Sequence, residues 1–283
     1  MDFNPITFDQ TALAGYSALF DACFPGTNRF TKEYLRWLYV DNPDGKAFGF
    51  DARNNGVLAA HYVCVPVSAI VNGCPARVLL SLNTATHPQF QGKGLFTKLA
   101  AMTYDAAALA GFEGVYGVAN ANSTPGFIRK LGFQLVRPLD ALIGVGRIGA
   151  VRGTPAKPLA FERIWDAASL NWRCASPYNL VQRKRHGDVW QFYSSAVGPW
   201  LQAYGEVVLD DQIELSPTNL PLTPLKLYLG LIPDDVKGLR NYAAIPQRFR
   251  PSPLNLIYRS LATPGAKLDS SRINFSFLDF DAY

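Results

Sequence analysis

Residues 81–133 read SLNTATHPQFQGKGLFTKLAAMTYDAAALAGFEGVYGVANANSTPGFIRKLGF, and the order of elements in this stretch decides the fold. A strand-like run from Ser81 to Thr86 stops at Pro88. Gln89-Phe90-Gln91-Gly92-Lys93-Gly94 then opens a long segment in which Leu95, Leu99, Met102, Ala106 and Leu109 step along one helical face. A glycine-bearing turn at the start of a helix offers free backbone N–H groups and the positive end of the helix dipole, so it suits a phosphate-bearing ligand. Lys93 and Lys98 oppose the dipole there, at a cost of about a few tenths of a kcal/mol that a nearby anion offsets. Two other phosphate loops fail the test. No G-x-x-x-x-G-K-[ST] run exists in the chain, and the dinucleotide fingerprint needs a third glycine where Thr97 stands. A literal G-x-G-x-x-G at Gly144–Gly149 runs into Ala150-Val151-Arg152-Gly153-Thr154-Pro155, which cannot start a helix.

Working outward, Val115 to Ala119 reads as a short buried strand, followed by the loop Asn120-Ala121-Asn122-Ser123. Thr124-Pro125 starts a helix, with Pro125 at its favoured first position, and Gly132 ends it before Phe133 begins another strand. Upstream, Thr11–Phe24 and Thr31–Val40 carry helical spacing. Strands are expected over 46–52, 57–71 and 76–86, with turns at Arg53-Asn54-Asn55-Gly56 and Asn72-Gly73.

The order strand, Q-x-x-G-x-G, helix, short strand, Asn-rich loop, helix, Leu-Gly-Phe resembles the acyl-CoA-binding half of the GNAT N-acyltransferase superfamily, across roughly residues 1–148. The resemblance implies an α+β (mixed α/β) fold with a central, mostly antiparallel sheet, and acyl-CoA as co-substrate. It implies that backbone amides of Gln91, Gly92, Lys93, Gly94, Leu95 and Phe96 take the CoA pyrophosphate. Pantetheine would pair with the preceding strand at Ala85 and Thr86, and Asn120, Phe127 and Arg129 would complete the cofactor contacts. A backbone amide near Asn83 or Thr84 would stabilise the oxyanion. The chain departs from the family pattern twice. Many members place a tyrosine acid where Ile128 stands, and many carry a glutamate base on the strand before the loop, whereas Arg77–Asn83 has no carboxylate. Asn83, His87 and Asn122 are therefore the candidate catalytic residues, with Asn120, Ser123 and Tyr116 also in reach. An imidazole at His87 can take a proton near neutral pH, and its bland alternative is a strand cap.

The segment Tyr34-Leu35-Arg36-Trp37-Leu38-Tyr39, with Asn171-Trp172-Arg173 further on, resembles GNATs that acylate nucleotide-linked amino sugars in surface-glycan synthesis. That likeness implies substrate contacts at Arg36, Trp37, Tyr39 and Arg173, a dTDP- or UDP-linked amino sugar as acceptor, and an acetyl or short hydroxyacyl group such as 3-hydroxybutanoyl. Core packing is the alternative for the aromatics. Arginines are rarely buried without an anionic partner. Another amine acceptor, or a non-catalytic acyl-CoA-binding module, are the competing readings.

Residues 149–157 read as a Gly/Pro/basic linker between a domain at 1–148 and a second, degenerate GNAT-like domain at 158–283 that lacks the pyrophosphate loop. In the second half a helix is expected over 159–169, and strands over 178–184, 189–194, 201–209, 255–261 and 272–280. The 283 residues are 48% hydrophobic and 17% charged, enough for a sizeable core. Net charge +5 suits an anionic ligand, but the basic residues are thinly spread, which argues against nucleic acid. Four cysteines without C-x-x-C spacing read as reduced thiols. Asp279-Phe280-Asp281 reads as a strand end, and no metal is expected. The N-terminus lacks signal-peptide character and no run reaches the ~18 apolar residues of a membrane span. A cytoplasmic protein is the expectation. The oligomeric state is left open.

Overall fold

The computed structural model describes residues 1–149, 158–198, 200–209, 213, 215–218, 223–236, 239–250 and 252–281. Two Asn-Gly turns set the register of the first sheet. Asn55 and Gly56 (φ 50° and 81°) join β2 (Phe48–Asn54) to β3 (Val57–Val71), and Asn72 and Gly73 (φ 50° and 84°) join β3 to β4 (Cys74–Thr86). Two-residue hairpin turns of this kind need positive φ at both central positions, which asparagine and glycine tolerate. Two helices precede the hairpins, α1 (Gln10–Cys23) and α2 (Lys32–Tyr39). Asp9 caps the first by accepting from the amides of Thr11 and Ala12, and Thr31 caps the second by accepting from that of Tyr34.

The first sheet runs in the order β1 (Asp2–Pro5), β2, β3, β4, β5 (Gly114–Ala119), β14 (Asn255–Ser260), β6 (Gln134–Pro138). Helix α3 (Leu95–Leu109) covers it with Leu95, Leu99, Ala100, Tyr104 and Ala107, and α4 (Thr124–Leu131) adds Phe127 and Leu131 to the same core. The second sheet runs β13 (Tyr242–Ala244), β7 (Asp140–Gly144), β12 (Lys226–Gly230), β11 (Leu201–Val208), β10 (Val189–Val197), β9 (Gln182–His186).

The two sheets repeat one plan. In each, three hairpin-connected strands are followed by a fourth that runs parallel to the third: β5 beside β4 in the first, β12 beside β11 in the second. The next position is exchanged. Strand β14, from the end of the chain, lies between β5 and β6, and β7, from its first half, lies between β12 and β13. The chain accordingly forms two compact units that are not consecutive: Met1–Val67 with Arg77–Leu135 and Ile257–Lys267, and Ser68–Ala76 with Val136–Leu256 and Leu268–Tyr283. This differs from a division at residues 1–148 and 158–283, because periodicity along a chain carries no information on which sheet a strand joins. Residues 150–157 of the expected linker lie outside the described residues.

Three local expectations are corrected. The helix expected over 159–169 is instead a strand, β8 (Phe161–Arg163), paired with Ala69–Val71 of β3, then a helix, α5 (Ala167–Cys174). Asp166 and Ser169 form a reciprocal capping box, which fixes the helix start four residues beyond the apolar run. The strand expected over 178–184 starts only at Gln182. The strand expected over 272–280 reduces to bridges at Ile273 and Phe275 and a 3-10 turn at Phe277–Asp279, closed by the Asp279 carboxylate accepting from the Ser276 amide at 2.6 Å.

A chain cut after residue 148 lacks the strand that lies between β5 and β6. Such a fragment is expected to lose the single cooperative urea transition of its sheet and to aggregate, as exposed strand edges do. Circular dichroism and light scattering of fragment and full chain check this.

Candidate active site

The site is built where β4 leaves β5. Their parallel pairing covers only Val78–Ser81 against Gly114–Gly117, while β4 itself continues to Thr86. The approach at the last pair is close, since a Cβ on Gly117 would stand 3.2 Å from the Ser81 carbonyl oxygen. Asn83, just beyond, is in the left-handed region at φ 45°. Such a residue bends a strand and turns its amide and carbonyl out of the ladder, and strain of this kind collects at functional sites. The backbone of residues 82–86 thus faces away from β5 with its edge available for a ligand to pair with.

Behind this edge lies a neutral hydroxyl network. The Tyr62 phenol lies 2.7 Å from Ser81 Oγ and 2.5 Å from the Tyr104 phenol, and burial holds both phenols well above their ordinary range. Burial also pushes the Cys64 thiol up to about 12. Cys23 stays a thiol too, because desolvation raises it, and it donates to the Thr86 carbonyl at 3.3 Å. Neither sulfur is a nucleophile at neutral pH.

The glycine loop follows directly. His87 donates its amide to the Ala59 carbonyl (2.9 Å) and accepts from the Gln89 amide at Nδ1 (3.3 Å), which caps the 3-10 turn Pro88–Phe90. Gln91 Nε2 donates to the Thr86 carbonyl, 3.4 Å away, and so ties the loop to the strand end. Gly92 and Gly94 have φ of 76° and 71°, and Gly94 is the N-cap of α3 without any side-chain cap for its first amides. Those amides, without a side-chain cap, are a ready anion site. Leu95 and Phe96 turn their side chains into the core and offer backbone only. The Phe96 ring lies 5.2 Å from that of Phe127, which lies 5.1 Å from that of Phe133. Lys93 extends over the Phe90 ring at 5.0 Å.

Across the gap, Asn120 is a turn-former: its Oδ1 accepts from the amides of Asn122 and Ser123, both at 3.0 Å, ahead of α4. Asn122 and Arg129 are exposed. Ile128, where a tyrosine acid was sought, packs against the core.

The candidate sugar contacts differ in burial. Arg36 is exposed, with an ion pair to Asp41 at 3.8 Å, while Trp37 and Tyr39 are buried. Arg173 lies in the second unit, buried, and its guanidinium donates to the backbone carbonyls of Phe277, Leu278 and Phe280. These carbonyls meet part of the cost of burying the guanidinium. Sequence reading missed Asp51 and His61. They form a buried pair, His61 Nδ1 to Asp51 Oδ1 at 2.7 Å, that reaches Tyr39. A hairpin closed by Asn55-Gly56 in plain register would set Asp51 against Ala60. A bulge between Ala52 and Arg53 shifts the pairing so that Asp51 faces His61.

The gap between β4 and β5, continued by an uncapped glycine turn at a helix start, matches what the sequence of the first half indicates, and a family comparison agrees. The family model described as "Acetyltransferase (GNAT) domain" matches residues 6–136. The likeness of fold extends over the whole chain. Eis1 from Mycobacterium abscessus superposes with a TM-score of 0.58 at 13% identity, covering 92% of this chain and 74% of that one. A probable N-acyltransferase from Enterococcus faecalis gives 0.60 at 10% identity, covering 93% and 73%. A GCN5-related N-acetyltransferase from Anabaena variabilis gives 0.57 at 10%, covering 92% and 73%. No curated protein matches the sequence. Over residues 6–136 the chain is similar to a GNAT acetyltransferase domain, and with these structures it shares a fold of two mixed α/β sheets. Among the described residues no helix is long and apolar enough to cross a membrane, and no cluster of metal-binding side chains is found.

Gly94→Asp tests the loop. No protein atom lies within 4 Å of an added Cβ, and a carboxylate at an N-cap favours the helix, offsetting left-handed strain of about 1 kcal/mol. The variant is expected to stay folded by circular dichroism. Its carboxylate occupies and repels at the anion position, so acetyl-CoA affinity by calorimetry should fall on the order of tenfold or more.

Proposed function

We propose that the chain transfers an acyl group from acyl-CoA to a primary amine at the edge of β4, and that the amine belongs to a nucleotide-linked amino sugar. The single observation that carries the donor half is the unpaired stretch of β4 leading into the uncapped start of α3. Pantetheine adds to that edge as a strand, through Ala85 and Thr86, and the pyrophosphate rests on the amides from Gln91 to Phe96. Asn120 and Arg129 flank the far side, and Phe127 supports it from the core. The thioester carbonyl then lies beside Asn83, whose out-of-ladder backbone supplies the oxyanion donor.

No carboxylate base or tyrosine acid stands in the family's positions. The amine nitrogen bonds to the thioester carbon, the C–S bond breaks to release CoA thiolate, and the proton shed by the nitrogen passes through water to that thiolate. Because the thiolate is a good leaving group and a sugar amine is partly neutral at mildly alkaline pH, positioning of the two reactants supplies most of the acceleration. His87 is engaged as a cap of the turn through Nδ1, which favours that reading over a histidine base. Asn122, exposed in the loop before α4, is the residue we assign to contact with the acceptor. Support for a nucleotide-linked acceptor comes from the positive balance of the chain and from exposed cations at Arg36, Lys93 and Arg129. The acyl group is acetyl or a short hydroxyacyl. The reaction belongs in the cytoplasm, where acyl-CoA and nucleotide sugars are made.

A thiol-release screen decides the class. Acetyl-CoA and 3-hydroxybutanoyl-CoA are paired in turn with dTDP- and UDP-amino sugars, polyamines and lysine peptides. Fastest release with an amino-sugar nucleotide is the expected result. Fastest release with a polyamine or peptide replaces the acceptor, and acyl-CoA binding without release for any amine establishes a binding module. His87→Asn is expected to lower kcat/KM by less than about tenfold, because a general base contributes about 10²–10⁴ and a cap does not.

A further inference from the structure

The buried Asp51–His61 pair is joined at both ends. The Tyr16 phenol donates to Asp51 Oδ2 at 2.9 Å, and His61 Nε2 lies 3.2 Å from the Tyr39 phenol. Asn83 Nδ2 in turn lies 3.4 Å from that phenol. His61 and Tyr39 are wholly buried, and Asn83 is half-buried at the β4 edge. Four side chains from α2, β2, β3 and β4 therefore form one line from the protein interior to the site.

The chemistry of the line sets its direction. A carboxylate only accepts, so His61 Nδ1 carries a proton toward Asp51. A carboxylate–imidazole–hydroxyl series rests with that tautomer, leaving a lone pair on Nε2 that takes the hydroxyl proton. Tyr39 then donates to His61 and can only accept from Asn83. The Asn83 amide must present its NH2 inward and its carbonyl oxygen outward, a choice that the shape of the amide alone does not fix. Among the described residues no donor meets that Oδ1.

We propose that Asp51, His61 and Tyr39 are positioning residues that lock the Asn83 side chain with its Oδ1 toward the acceptor, where it accepts a hydrogen bond from the amine N–H and aims the nitrogen lone pair at the thioester carbon. This rests on the acyl-transfer reading above. It supplies, by orientation, what the absent carboxylate supplies elsewhere by proton abstraction. Leu, Phe or Val at these buried positions would fill the same space without fixing an amide, and the left-handed backbone of Asn83 brings its side chain to the one hydroxyl that can sort it.

Tyr39→Phe removes the hydroxyl and keeps the ring. With the amine that releases thiol fastest in the screen, kcat is expected to fall about ten- to a hundredfold, the penalty of a misplaced reactant. Acetyl-CoA affinity should be unchanged. Asn83→Ala should cost as much, and the double variant no more than either single one. Long-range 1H–15N spectra of histidine-labelled wild-type protein at pH 8 should show His61 protonated at Nδ1 and bare at Nε2. Tyr39→Phe with kcat within twofold of wild type, losses that multiply in the double variant, or a proton on His61 Nε2 would each overturn the proposal. The spectrum decides even where a variant does not fold. Failure of the wild-type protein to bind acetyl-CoA overturns the acyl-transfer reading itself, and the role of Asn83 with it, before any variant is made.

Discussion

Everything at the site depends on β4 keeping one neighbour and giving up the other. Through Ser81 it has strands on both sides; beyond it the pairing with β5 has ended while β4 runs on to Thr86. An unpaired strand edge is ordinarily a liability, open to aggregation. Here it is short, bent by the left-handed Asn83 and closed off by the glycine turn, which limits that liability. The same departure puts the start of α3 at the mouth of the gap, because the chain has only the eight residues 87–94 in which to pass from strand to helix.

What lies behind the gap is polar but satisfied. Tyr62, Tyr104 and Ser81 share hydrogen bonds under the strand, and Asp51, His61, Tyr39 and Tyr16 do so beside it. Buried polar groups specify one arrangement strongly when all are partnered, since any repacking leaves at least one without a bond. A purely apolar floor would hold β4 in place without fixing the direction of a side-chain amide at its edge.

The second sheet shows what the first could be without its ligand turn. It has the same three strands and a parallel fourth, yet among the described residues no helix intervenes between β11 and β12. Each sheet also contains strands from the other half of the chain, β8 and β14 in the first and β7 in the second. That exchange ties the first half of the chain to the rest by hydrogen bonding as well as covalently.

By itself the sequence determined the elements whose signals are local. The Asn-Gly turns, the Thr31 cap, the Gly92–Gly94 loop and the Pro125 helix start were legible because each rests on the conformational needs of a few adjacent residues, and together they marked the half that is similar to a GNAT domain. The helix misplaced over 159–169 shows the limit, since an apolar run reads alike as a buried strand or a helix until a cap such as Asp166 decides it. Tertiary structure alone decided three things. It assigned β7 and β14 to opposite sheets, because strand pairing is satisfied by any partner of suitable pattern. It buried Trp37, Tyr39 and Arg173, which looked like ligand contacts, because neighbours far along the chain meet their needs. Through one bulge it also turned Asp51 toward His61, because a shift of a single residue in register changes every facing pair beyond it.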